Sequence, residues 1–311
     1  MLLLIASAAL KTNTHGSGSH HDDEPDPLCT FNLYGVKSSV PRRYCRAVPS
    51  CTSLDDDGPA SSYLELLRRA LVGATALFSR VALAESPSYP PNKMHRRGAG
   101  LLINSGYSRM RNLQCLMQNI SDHDVPGDFV ECGIWRGGAV IFMAGYAEAY
   151  RLRHRVWGFD SFMGLPTKRS GVRESVDVGW TKNNTDMSVT LAQVQAHAHS
   201  YALAHRIHLV PGWFKESIPP KLGELAARGG ISLLRVDGDL YSSTMQALKL
   251  LYPLLNPGGW VVLDDWSVPG ARTAVEDFRR DFSIDEPISF HSGHPMVYPV
   301  ARWQKRSPRS L

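Results

Sequence analysis

The sequence predicts a doubly wound α/β sheet, and three observations carry the prediction. From Phe129 to Phe282, short apolar runs alternate with stretches of helical period, the pattern of a parallel sheet with helices on both faces. A glycine-rich turn, Gly133-Ile-Trp-Arg-Gly-Gly138, follows the first run and opens a helix. Two later runs end in aspartates, Asp237 and Asp264-Asp265, where the carboxyl ends of parallel strands open into a ligand crevice.

Residues 1–59 read as a poorly ordered extension, because from Lys11 onward Ser, Asp, Pro and His dominate without a sustained period. His15, His20 and His21 beside Asp22, Asp23 and Glu24 read as a solvated tract. Residues 60–305 then form one domain. Leu64, Leu67, Ala70, Leu71, Ala74 and Phe78 recur at helical spacing, so N-terminal helices, this one and Arg109 to Ile120, precede the sheet. The turn Asp124-Val-Pro-Gly127 introduces a buried strand from Phe129 to Gly133. Further strands are expected at Val156–Phe159, Ile207–Val210, Ile231–Val236 and Trp260–Leu263. Helices fall between them at Ala139–Tyr150, Thr190–Ala204, Ser242–Leu255 and Arg272–Phe282, and Thr190-Leu-Ala-Gln193 has the form of a capping box.

A chain of 311 residues can bury a large core. Its longest apolar stretch, Leu2 to Leu10, is too short to span a bilayer, so no membrane span is expected. That leader lacks a basic start and fits neither a secretory nor a transit peptide well; the cytoplasm is favoured, with targeting left open. The net charge is +5, but the basic residues are scattered among acids, which argues against nucleic acid. Part of the charge sits in Arg302, Lys305, Arg306 and Arg309, read as a solvated end. Five cysteines form no C-x-x-C pair, so zinc is not expected, and whether Cys29, Cys45 and Cys51 form a disulfide stays open. His197 with His199 and His291 with His294 lack metal spacing and read as surface residues.

The chemistry gathers at strand ends. The glycine-rich turn lets backbone approach a ligand, and Asp160, closing the second strand, can accept both hydroxyls of a ribose. Together they suggest an adenosine-containing cofactor. NAD wants G-x-G-x-x-G for its pyrophosphate; glycines at 133, 137 and 138 with Trp135 and Arg136 between them disfavour it and leave S-adenosylmethionine. Asp237, Asp264 and Asp265 would repel one another strongly unless protonated or neutralised by a cation. Oxygen ligands without Cys or His suit a hard ion such as Mg²⁺. The competing reading is that Asp237 and Asp264 cap the helices that follow them.

Five segments closely resemble the macrocin O-methyltransferase family: Val125 to Gly138, Phe159-Asp-Ser-Phe-Met-Gly-Leu-Pro166, Val210-Pro-Gly-Trp-Phe-Lys215, Leu234 to Tyr241 with Ser243-Thr-Met245, and Pro257-Gly-Gly through Asp265. They stand in the family's order, and the resemblance runs from about Tyr63 to Trp303. It implies a Rossmann-like methyltransferase sheet using S-adenosylmethionine and Mg²⁺ on a hydroxyl of a sugar or similar small molecule. It also implies that Asp237, Asp264 and Asp265 ligate the metal and that Asp237 is the general base. The cofactor would be held by Glu131, Gly133, Trp135, Arg136, Gly137, Gly138, Asp160, Ser161, Gly212, Trp213 and Phe214. A catechol-like diol acceptor and a catalytically silent relative are the alternatives, and a homo-oligomer is left open.

Two departures bear on the acceptor. Cys132 stands where the family commonly has a small polar residue and is expected to be a buried packing residue. The stretch Met163 to Val189 is polar and aperiodic, as expected for a lid over the acceptor, and is too individual to identify that acceptor.

Overall fold

The computed structural model describes residues 58–72, 102–103, 106–166, 187–291 and 299–306, with the backbone alone at 28–33 and 36–41. Strands β1 (Leu28–Leu33) and β2 (Val36–Pro41) pair antiparallel in a hairpin, an element that the aperiodic composition of the extension does not predict. Helices α1 (Pro59–Leu71) and α2 (Gly106–Asp122) come next. The domain continues through β3 (Asp128–Cys132), α3 (Gly138–Ala149), β4 (Val156–Asp160), α4 (Leu191–Ser200), β5 (Ile207–Pro211), α5 (Phe214–Ser217) and α6 (Leu222–Ala227). It ends with β6 (Ile231–Val236), α7 (Tyr241–Leu251), β7 (Leu255–Leu263), α8 (Pro269–Asp281), β8 (Ser289–His291) and β9 (Val300–Gln304).

The sheet order is β5-β4-β3-β6-β7-β9-β8, with the first five strands parallel and β9 and β8 joining antiparallel. Chain order therefore reverses between β3 and β6, and ligands of open α/β sheets bind beside the carboxyl ends of strands at such a switch point. Every residue of β3 and β6 is buried, as strands covered on both faces require. One face packs Phe129, Leu233 and Val262 beneath α1, α2 and α3; the other packs Val130, Leu234 and Leu263 beneath α7 and α8. The Thr190 capping box forms as the sequence predicts: the Gln193 amide donates to Thr190 Oγ1, and the Thr190 amide donates to Gln193 Oε1.

The basic tail is a correction. Arg302 is buried on β9, where it donates to Asn112 and lies over the Trp260 ring; Lys305 donates to the carbonyls of Tyr252 and Leu255. Both stems cover apolar surface while their polar ends find oxygen or aromatic partners. Only Arg306 of that group is exposed among the described residues. The histidines divide likewise: His199 is exposed, whereas half-buried His197 hydrogen-bonds through Nδ1 to the Arg136 carbonyl, and half-buried His291 contacts Ser108 Oγ at 2.9 Å. Cys132 is a fully buried free thiol, as expected, pushed well up by that burial. Cys115 is disulfide-bonded.

Candidate active site

Strand register alone assembles the site. Val210, Phe159, Cys132, Val236 and Leu263 form one row across the five parallel strands. The next residue on each chain is Pro211, Asp160, Gly133, Asp237 and Asp264, so residues more than a hundred positions apart share one edge. Backbone bonds carry the row past the strand ends: Gly133 N donates to Phe159 O at 2.9 Å, Asp237 N to Cys132 O at 2.8 Å and Asp264 N to Val236 O at 3.0 Å. Gly133 is required there. Its φ is +85°, and a Cβ would lie 1.9 Å from the Asp237 carbonyl oxygen, so any side chain would force β3 and β6 apart.

The glycine-rich turn is held from both sides. Trp135 adopts φ +47° and Gly137 φ +86°, and Gly137 precedes the first residue of α3, leaving amide groups at the crevice. Asp160 Oδ2 accepts from the amides of Ile134 at 2.8 Å and Trp135 at 3.2 Å, and Oδ1 accepts from Phe162 N at 2.8 Å. Burial pushes the Asp160 carboxyl up, and these amide donors oppose the shift. Asp160 thus ties the turn to its strand, a task the sequence reading did not assign to it. Ser161 Oγ donates to the Gly164 carbonyl and accepts from Met163 N, holding the turn after β4. The Arg136 guanidinium covers the Trp135 ring at 4.5 Å. Gly212 N donates to Asp160 O, and Trp213 and Phe214, partly buried, open α5 beside the same edge. Most of the segment read as a lid, 167–186, lies outside the described residues; Met163 at its start is 72% exposed.

The acidic residues converge. One carboxylate oxygen from each of Asp237, Asp264 and Asp265 lies within 4.8 Å of the others. Neither Asp237 nor Asp264 is a helix cap: the N-caps of α7 and α8 are Leu240 and Val268, without a side-chain cap bond. Burial, then the neighbouring Asp264, raises Asp237 even though Arg235 opposes it. Burial, then Asp239 and Asp237, raises Asp265 well above the usual carboxylate range. Asp239, in the left-handed region at φ +59°, donates its amide to Asp265 Oδ2 at 2.8 Å.

Beneath them lies a charge network that the sequence reading missed. Arg235, with a side chain 4% exposed, contacts Glu131 Oε1, Asp237 Oδ2 at 2.8 Å and Asp264 Oδ1 at 2.8 Å. Arg109 of α2 reaches Asp264 Oδ2. Glu131 was expected at the cofactor, and it stands at that strand end with Oε1 on Arg235 and a buried Oε2 that meets no partner among the described residues. Burial pushes its carboxyl up to about 8 against the pull of Arg235. A signal existed for Arg235: the one charge in an otherwise uncharged strand, Ile231-Ser-Leu-Leu-Arg-Val236, must be paired when buried. Nothing in the helical period of α2 marks Arg109.

A five-stranded parallel core with the switch at β3 and β6, a glycine-rich turn after the first strand and two antiparallel strands at one edge define a Rossmann-like methyltransferase. The chain belongs to the macrocin-O-methyltransferase (TylF) family, which matches residues 100–294, and it is an S-adenosylmethionine-dependent O-methyltransferase. It is 39% identical over 210 residues to 8-demethyl-8-(2,3-dimethoxy-alpha-L-rhamnosyl)-tetracenomycin-C 4'-O-methyltransferase of Streptomyces olivaceus, covering 66% of this chain and 77% of that one. Identity to demethyldecarbamoylnovobiocin O-methyltransferase of Streptomyces niveus is 31% over 255 residues, 76% of this chain and 92% of that one. The solved structure of the O-methyltransferase NovP superposes with a TM-score of 0.65 at 29% identity, over 80% of this chain and 100% of that one. No helix among the described residues is long and apolar enough to cross a membrane.

Proposed function

We propose that the enzyme methylates a hydroxyl of a sugar carried by a small molecule, with a hard divalent cation such as Mg²⁺ at Asp237, Asp264 and Asp265. The observation that carries this reading is the meeting, on one sheet edge, of the glycine-rich turn with three carboxylates that cap nothing. The residues fit both groups. The lone buried Oε2 of Glu131 is an acceptor suited to the cofactor's ammonium group. Burial first, and neighbouring carboxylates after it, raise Asp237 and Asp265, and a hard cation among these oxygens would relieve that repulsion. The rhamnosyl-bearing compound in the name of the Streptomyces olivaceus relative is the molecule which that enzyme methylates, and it supports a glycosidic acceptor here.

S-adenosylmethionine supplies an electrophilic methyl group, and the cation supplies charge that lowers the pKa of an acceptor hydroxyl. Glu131 to Gly138, Asp160 and Ser161, and Gly212 to Phe214 hold the cofactor against the switch point. Asp237, 27% exposed and at the mouth of the network, takes the acceptor's proton as the new C–O bond forms and the C–S bond breaks. Bound at these strand ends, the acceptor and the cofactor would be held side by side, so that transfer would not wait on a chance encounter. Transfer from labelled S-adenosylmethionine across a panel of glycosides and catechol-like diols tests the reading. Turnover on glycosides, lost in EDTA and restored by Mg²⁺, is expected; turnover confined to diols, or undiminished in EDTA, would overturn the acceptor or the metal assignment respectively.

A further inference from the structure

We propose that Arg235 is the positioning residue of the cation site, and that Arg109 is a charge opposing the cation from the other side of Asp264. This rests on the reading of Asp237, Asp264 and Asp265 as ligands of a hard cation. Period-two alternation puts Glu131, Arg235, Asp237 and Asp264 on the sheet face that α2 covers, and Glu131 and Arg235 are direct register partners. From that place the Arg235 guanidinium takes one oxygen each from Glu131, Asp237 and Asp264.

The three contacts divide the work. Glu131 holds the guanidinium from below, on the strand where Gly133 allows close approach to the Asp237 backbone. The planar fork then fixes two carboxylates at a set spacing, Asp237 through Nη1 and Asp264 through Nη2, by one oxygen of each. A lysine in its place is a point charge on a flexible stem and cannot hold two carboxylates at a fixed angle. Groups that orient metal ligands in this way typically change metal affinity 10- to 100-fold.

Arg109 differs in place and in consequence. It projects from the first turns of α2 onto Asp264 Oδ2, while Asp264 Oδ1 is committed to Arg235. A cation that approaches Asp264 Oδ2 meets the oxygen that Arg109 already holds. A divalent ion there must share that oxygen with a like charge or displace it. Arg235 should thus favour the ion and Arg109 disfavour it, although both are arginines on the same carboxylate.

The experiment titrates Mn²⁺, a paramagnetic hard divalent ion, into the full-length protein and reads free ion by electron paramagnetic resonance, with S-adenosylhomocysteine affinity measured alongside by calorimetry. Arg235→Lys is expected to weaken Mn²⁺ binding by about tenfold or more with S-adenosylhomocysteine affinity within about twofold of native; Arg109→Gln is expected to tighten Mn²⁺ several-fold. General loosening of the fold would lower both affinities of Arg235→Lys together and would overturn the positioning role, as would an unchanged Mn²⁺ affinity. A weaker Mn²⁺ affinity in Arg109→Gln would overturn the opposing role. Should Arg235→Lys not fold, Glu131→Leu decides the matter, since it removes the oxygen that anchors the guanidinium without touching a ligand of the cation: weaker Mn²⁺ binding supports the proposal and native affinity overturns it. A native protein that binds S-adenosylhomocysteine but no Mn²⁺ would sink the cation reading itself, a result distinct from a native site that the variants leave unchanged.

Discussion

Asp128 and Glu131 lie three residues apart on the same strand, 2% and 1% exposed, yet their surroundings differ completely. Asp128 is at the closed end of the sheet. It accepts from Arg155 N and Trp157 Nε1, both at 2.9 Å, and from Arg228 Nε and Nη2, so both oxygens are occupied. Glu131 is at the open end, has one oxygen on Arg235 and keeps the other bare. A buried acceptor without a partner costs free energy, and a fold keeps such a group where a ligand completes it. Asp128 is finished by the protein; Glu131 is not. The contrast separates a carboxylate with both oxygens held by the fold from one with an oxygen that meets no partner among the described residues.

The largest effect should come from the open end. Asp237→Asn keeps an oxygen that can still face a cation, but an amide cannot accept a proton at neutral pH. Turnover is therefore expected to fall by about 10²–10⁴-fold, with S-adenosylmethionine affinity nearly unchanged. Single-turnover rates and calorimetry on the variant check the pair of outcomes, and a rate within about tenfold of native would remove Asp237 from the role of base. Asp264→Asn and Asp265→Asn should lose activity chiefly through the metal, so excess Mg²⁺ should partly restore them.

At the closed end the same chemical change should act on stability instead. Asp128→Asn leaves the Arg228 guanidinium against a neutral amide, and breaking a buried ion pair by neutralising one partner costs about 3–5 kcal/mol; the 27% exposure of the Arg228 side chain argues for the lower figure. Urea unfolding should show that loss, with cofactor affinity in the surviving folded protein unaltered. Glu131→Gln should reverse the pattern, changing stability by only about 1 kcal/mol while weakening S-adenosylmethionine, because at neutral pH the native carboxyl without ligand already favours its protonated form. If the two variants unfolded alike, the distinction between finished and unfinished carboxylates would fail.

Much of this contrast is legible in the sequence, and what is not has a physical cause. The alternation of apolar runs and helical periods locates β3 to β7, and Asp160, Asp237 and Asp264 stand at strand ends because that is where those runs stop. The pairing between strands is not legible from the runs: that Gly133, Asp237 and Asp264 share one row follows from register. Strand β9 was missed because Val300-Ala-Arg-Trp-Gln304 carries an arginine that looks solvated and is in fact covered by Trp260 and Asn112. Arg109 was missed because a helix position facing a site differs from one facing solvent only once the helix is docked. That Asp160, expected at the ribose, holds three amides is likewise invisible until the turn folds back on it.

The smallest expected effect is a proton count, and it tests the comparison at its source. Burial raises Glu131 from its ordinary 4.5 to about 8, with Asp237 and Asp264 adding to the rise and Arg235 opposing it. Between those two values the ligand-free fold holds a proton that the unfolded chain has released, so the contribution of Glu131 to stability is full below about 4.5 and is lost as pH rises through about 8. A positively charged group placed against Oε2 favours the carboxylate and reverses that preference. Binding of S-adenosylmethionine at pH 7 should therefore expel up to one proton, and its affinity should rise with pH until about 8 and then level off, by at most tenfold per pH unit. Calorimetry in two buffers of different ionisation enthalpy measures the proton directly. The release should vanish in Glu131→Gln and persist in Asp128→Asn, whose substituted group takes no part in the crevice. A native enzyme that binds the cofactor with no proton released at pH 7 would mean that Arg235 alone already keeps Glu131 ionised, and the bare oxygen would then need another explanation.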